Sequence, residues 1–121
     1  MAAYNFKKRF APLVESGEKR QTIRAERKDG RKPRIGETLY LYTGMRTKGC
    51  RRLLKSQCQS VEEIKIFNNI IIVSGTWLEP YEVAALTRDD GFENENEFFE
   101  FFKEEHGLPF RGLLIKWEPM K

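Results

Sequence analysis

Gly17-Glu18-Lys19-Arg20-Gln21-Thr22-Ile23-Arg24 sets a lysine, a hydroxyl and a guanidinium just after a glycine. Upstream, Phe6, Phe10, Leu13 and Val14 recur at spacings of 4, 3 and 1, as one face of a short amphipathic helix would, and Gly17 supplies the permissive backbone of its C-terminus. The chain is expected to leave that glycine extended. Side chains alternate along a strand, so with Ile23 in the core Thr22 and Arg24 share the opposite face, and Lys19 lies in the turn beside them. The residues alone fit two readings, a polar site or a solvated edge strand with ordinary surface charges.

Downstream, Ala25 to Gly36 reads as a loop, with Asp29-Gly30 and Lys32-Pro33 as turn dipeptides among five cations. Glu37 to Tyr42 alternates as a strand does. Thr43 to Arg52 interrupts the pattern with two glycines and four further cations. Gln57 to Phe67 and Ile70 to Trp77 flank Asn68-Asn69, which predicts a hairpin, with Ile70-Ile71-Ile72-Val73 as a buried central strand. Glu79-Pro80 starts a helix that turns Val83 and Leu86 inward, with Tyr81 a further inward candidate, and ends near Asp89 to Gly91. Asn94 or Asn96 caps a second helix, which runs through Phe98, Phe99, Phe101 and Phe102 to Gly107. Pro109 stops it, and Arg111 to Trp117 makes a last strand. Phe99, Phe102, Ile72 and Ile115 are expected in the core. Strands without long βαβ units predict a largely antiparallel α+β barrel decorated by helices.

The 121 residues fit one domain spanning 1–121. No apolar stretch reaches membrane-spanning length, and the start has no apolar block like that of a signal peptide, so a cytoplasmic protein without membrane contact is expected. Cys50 and Cys58 match no zinc spacing and are expected as free thiols. His106 is the only histidine, which excludes a histidine-rich metal site or a Ser-His-Asp triad. Neither metal nor cofactor is expected. Charge is divided along the chain: residues 1–55 hold 16 Lys and Arg against 5 Asp and Glu, residues 56–121 hold 6 against 13. Cations together with Tyr4, Tyr40 and Tyr42 suit a polyanion carrying stackable bases.

A lysine serves as a base only where its surroundings favour the neutral amine, and Arg20 and Arg24 push Lys19 that way. Thr22 is then a nucleophile activated by Lys19, with Arg24 or backbone N–H groups holding an oxyanion. The same residues also read as a binding surface: Lys19, Arg24, Arg46 and Lys48 hold phosphates while Tyr42 or Trp77 stacks a base. Purely structural roles stand beside these, with Tyr42 a half-buried strand residue, Trp77 a core anchor and Arg24 the partner of an acidic helix residue such as Asp90.

The Gly-x-Lys-x-x-Thr-Ile-Arg run after a short helix resembles the signature of the ASCH family. Three further segments agree in order: Gly36-Glu37-Thr38-Leu39-Tyr40-Leu41-Tyr42 after a polar loop, Asp90-Gly91-Phe92 before a helix, and Leu113-Leu114-Ile115-Lys116-Trp117 at the end. The similarity covers nearly the whole chain. It implies a PUA-like mixed β-barrel decorated by short helices, and a monomer that binds RNA or a nucleoside or nucleotide ligand. Some bacterial ASCH proteins are acetylcytidine amidohydrolases, in which the motif's lysine and threonine work with a glutamate just before the last helix. By motif these positions fall on Lys19, Thr22 and Asp90, with Glu93 or Glu95 as alternative carboxylates at the ligand. Other relatives are ribonucleases, so an enzyme of this kind is a hydrolase of one of two sorts. The basic loop at 26–35 and the Met45 to Arg52 insertion depart from a small ASCH domain and point to a polyanion larger than a free nucleoside. A protein-interaction module built on the acidic helices ranks last.

Overall fold

The computed structural model describes residues 2–120. Its spine is β4 (Arg51–Phe67), a strand of 17 residues. One edge of β4 pairs first with β3 (Thr38–Thr43) and then with β5 (Ile70–Val73), both antiparallel. The other edge pairs antiparallel with β7 (Phe110–Pro119), whose far side carries β2 (Gln21–Ala25). β1 (Ala2–Phe6) joins β3 in parallel, so the sheet is mixed. A curled strip β1-β3-β4-β7-β2 results, and β5 and β6 (Thr76–Trp77) form a short extension at one end of β4.

Bulges at Leu41/Tyr42 and between Cys58 and Ser60 coil this strip. The sheet is nevertheless not closed, which corrects the barrel expected from sequence. β1 and β2 share no ladder. They meet through a side chain, where Arg24 Nη2 donates to the Asn5 carbonyl at 2.6 Å. Inside the strip, the Phe6 and Trp117 rings pack edge to face with centroids 5.9 Å apart.

The first helix is shorter than its apolar spacing suggested. α1 covers Ala11–Ser16, with Phe6 in β1 and Phe10 at the N-cap. Pairing of Phe6 with Thr43 holds that residue extended, and Pro12 favours helix only from the first turn onward. Phe6, Phe10 and Val14 still converge on one core. Gly17 ends α1 in the left-handed region, at φ 84°.

α2 (Pro80–Asp89) starts as expected, with Glu79 and Glu82 completing a capping box. Val83 and Leu86 are buried, whereas Tyr81 points outward. α3 (Glu95–Glu105) is capped by Asn94, whose side chain accepts the Glu97 N–H at 2.9 Å. Its Phe98, Phe99 and Phe102 are buried and Phe101 packs beside them.

Two strand expectations change. β4 begins at Arg51 instead of Gln57, so Arg51 and Arg52 are strand residues and the loop before them is short. The Ile70 to Trp77 stretch is two strands split by Ser74-Gly75, and of Ile70 to Val73 only Ile71 is fully buried. That segment lies at the sheet's end, where β6 covers one edge and little covers the outer face, so Ile72 is half-buried. Ile115, Phe99 and Phe102 are core residues as expected. Asn69 takes φ 64° in the predicted turn. Cys50 and Cys58 are both free, the first exposed and the second buried. No helix among the described residues is long and apolar enough to cross a membrane.

Candidate functional site

After Gly17, the Lys19 N–H donates to the Leu13 carbonyl at 2.9 Å, and Arg20 Nε donates to Gly17 O at 2.9 Å. This tight exit turns Lys19 inward before β2 begins. Its side chain is not a surface charge, for the residue is only 3% exposed. Gln21, Thr22 and Ile23 are buried as well, so both faces of β2 are covered at this end.

Lys19 finds its partner at the end of α2. The Phe92 N–H donates to Thr87 O at 3.0 Å and the Gly91 N–H to Arg88 O at 2.9 Å, the two bonds of a Schellman motif. Gly91 holds φ 97°, and a Cβ there would sit 3.0 Å from the Phe10 ring, so the turn needs glycine on both counts. The motif places the Asp90 carbonyl and one carboxylate oxygen within reach of Lys19. Lys19 Nζ donates to the Asp90 carbonyl at 2.5 Å and to Oδ1 at 3.1 Å, while Gln21 Nε2 donates to Oδ1 at 3.2 Å. Phe10 and Phe6 flank the ammonium, their ring centroids 5.0 and 5.9 Å away.

Burial dominates the protonation of this pair. It pushes the Lys19 ammonium below its usual range, and the Asp90 charge offsets this only in part. It pushes the Asp90 carboxyl up, opposed by Lys19 and by the Gln21 hydrogen bond. Both groups thus move toward their neutral forms, which lowers the cost of passing a proton between them.

Thr22 and Arg24 share a face, as alternation requires. Arg24 Nε donates to Thr22 Oγ1 at 2.9 Å, and its guanidinium carbon lies 5.3 Å from the Tyr4 ring centroid and 5.0 Å from that of Phe6. A hydroxyl that accepts from a cation is a better donor of its own proton. Among the described residues no hydrogen bond joins Lys19 to Thr22; the lysine's bonds go to Asp90. Lys19, Thr22, Arg24 and Asp90 nevertheless line one cleft of about 300 Å³, with Phe10, Phe92 and Phe101 among its apolar walls.

The rim is charged. Lys7 Nζ meets Glu105 Oε1 at 2.6 Å, tying the end of β1 to the last turn of α3. Arg9 pairs with Glu97 nearby. His106 follows on the same rim, its ring stacked on Phe102 with centroids 5.6 Å apart and tilted against Phe110 at 4.7 Å. Burial against these rings holds its imidazole below the usual 6.5.

The other sequence candidates lie elsewhere. Glu93 lines a neighbouring depression of about 440 Å³ that shares Lys19 with the cleft. Glu95 stands in the first turn of α3, where a carboxylate complements the helix dipole. Of the three carboxylates considered, Asp90 is the one bonded to Lys19. Tyr42, Arg46, Lys48 and Trp77 do not line the cleft. Leu41 and Thr43 are buried, so Tyr42 projects from the opposite face of β3. Arg46 and Lys48 are exposed in the loop before β4. Trp77 is 64% exposed on β6, at the end of the strand order away from β1 and β2, and is not a core anchor either.

Gln21, Lys7, Glu105 and His106 were not singled out from sequence as site residues. Gln21 carried a signal, since it lies inside the motif; the rim residues carried none, because only packing of α3 onto the strip brings them there. Comparison of the chain with family models, with curated proteins and with solved structures finds no match.

Proposed function

We propose that the chain is an ASCH-type domain of PUA-like architecture that binds RNA or a nucleotide-like ligand in the cleft between β1, β2 and α3. The observation that carries this reading is the convergence of Lys19, Thr22, Arg24 and Asp90 in one cleft with aromatic walls. A planar heterocycle suits such walls, and a few fixed polar groups suit its edge. Thr22 is free to donate, and the guanidinium of Arg24 keeps N–H groups beyond those used on Thr22 and Asn5.

Titration of nucleosides, nucleotides and short RNA at low salt tests the reading. Arg24→Gln is expected to weaken binding by about tenfold, the equivalent of ~1.4 kcal/mol. Absence of binding by all three ligand types overturns it.

One observation favours hydrolysis as a second reading: a buried amine and carboxyl, each displaced toward its neutral form, stand in the same cleft as a hydroxyl. Removal of an acyl group from acetylcytidine needs Lys19 to turn from Asp90 toward Thr22. Thr22→Val, which keeps the side chain's shape, is expected to abolish turnover. Lys19→Arg keeps a charge but not a base and is expected to do the same. No turnover of acetylcytidine and no cleavage of RNA by the parent protein removes this reading and leaves the binding one.

A further inference from the structure

The cleft borders the split in the sheet, where β1 and β2 share no ladder. β1 and β2 are the two edges of the curled strip, and the Arg24 guanidinium is held between them by Asn5 O and the Tyr4 and Phe6 rings. Asn5, Arg24 and Ala25 line the cleft at one end of this seam. Farther along, Tyr4 on β1 and Arg27, two residues past the end of β2, line a second and larger depression of about 910 Å³. Its far wall is the loop segment Arg31 to Ile35. The two hollows are therefore successive along the same pair of edges.

Their charges differ. Two of the cleft's cations stand opposite carboxylates, Lys19 on Asp90 and Lys7 on Glu105, while Arg24 is held by Thr22 and the Asn5 carbonyl. Among the described residues, Arg24 is therefore the single charge left there for a phosphate. The loop carries five cations, Arg27, Lys28, Arg31, Lys32 and Arg34, against Glu26 and Asp29. Arg27 and Arg31 share Asp29, at 3.2 and 3.9 Å, while Lys32 and Arg34 form no ion pair among the described residues. The second hollow is lined by Arg27, Arg31, Lys32 and Arg34 against the carboxylate of Glu37, so the larger positive surplus lies there, beside an exposed Ile35 and the half-buried Tyr4.

Resting on the reading of the cleft as a base site, we propose that the β1/β2 seam is a track for a single-stranded polynucleotide. One base leaves the strand to enter the cleft, and the phosphates that follow lie along the cations of the 26–36 loop. Charge outside and aromatic walls inside is the division of labour by which single strands are held. A duplex keeps its bases stacked and cannot supply the inserted one without unpairing it.

The test compares a mononucleotide with a labelled strand of about ten nucleotides, as RNA, as DNA and as a duplex, by fluorescence anisotropy. The variant is Arg27→Glu, Arg31→Glu, Lys32→Glu and Arg34→Glu together, four exposed positions whose replacement leaves the core intact. The parent is expected to bind the strand at least about tenfold more tightly than the mononucleotide, and the variant to lose that advantage while binding the mononucleotide as before. The slope of log K against log salt is expected to become shallower by about 0.7 for each phosphate that the variant no longer neutralises. RNA bound more tightly than DNA assigns the strand to RNA, and equal affinity assigns it to single strands generally; both support the track. A mononucleotide that binds while the strand binds no better overturns the track and leaves the cleft reading standing. Equal affinity for the duplex also overturns it. Binding of neither ligand overturns both.

Discussion

Two ion pairs join the strand side of the cleft to its helical side, and they differ in everything but chemistry. Lys19–Asp90 spans 3.1 Å with side chains 4% and 6% exposed, whereas Lys7–Glu105 spans 2.6 Å with side chains 54% and 41% exposed. The shorter contact is the weaker constraint. Water and salt screen an exposed pair, and holding two long side chains together costs entropy. The buried pair has lost its water, so each group depends on the other, on Gln21 and on the Asp90 carbonyl. Environment, not distance, makes one pair a structural and chemical centre and the other a rim contact.

The largest expected effect comes from breaking the buried pair. Asp90→Ala should cost about 3–5 kcal/mol in urea denaturation, because it strands a buried ammonium. Lys19→Ala is expected to lose fold stability along with any activity, so its stability must be measured beside its turnover. Replacing both partners, as Lys19→Met with Asp90→Leu, should recover much of the loss. Lys7→Ala should barely move the midpoint, and a loss as large as that of Asp90→Ala would erase the contrast between the pairs.

Phe102→Ala should be comparably costly, at about 3–5 kcal/mol, since this ring packs against Phe98, Phe101, Phe110 and His106 at once. A mild effect would mean that α3 is not anchored over the cleft. Thr22→Val should cost less, about 1–3 kcal/mol, by leaving Arg24 Nε–H without its acceptor. Unchanged stability would indicate that Arg24 finds another partner.

The smallest effect concerns pH. His106 has a depressed folded value, so it binds its proton less readily folded than unfolded. Its contribution is complete above the ordinary 6.5 and is lost as pH falls through the folded value. An NMR titration of its imidazole should have its midpoint below 6.5, and His106→Asn should remove a small part of the acid sensitivity. A midpoint above 6.5 would mean that Glu105, which opposes the shift, outweighs burial.

Local rules made several elements legible in the sequence. Gly17 as a helix end, Asn68-Asn69 as a turn, Glu79-Pro80 and Asn94 as helix starts, and Thr22 with Arg24 on one face all follow from backbone preference, capping and strand alternation. The motif also led to Lys19 and Asp90, although 71 positions separate them. What was not legible depended on distant parts meeting. Phe6 looked helical by spacing because the parallel partner that makes it a strand residue lies at Thr43. Trp77 and Tyr42 had the right chemistry for a base, but strand order and strand face carry them away from the cleft. Aromatic rings and cations keep their chemistry wherever they lie, so composition registers them without giving their address. The burial of Lys19, the open edge between β1 and β2, and the gathering of Lys7, Glu105 and His106 at one rim were decided by tertiary structure alone. Each is a matter of which surfaces exclude water from one another, a property of the packed chain that no local run of residues contains.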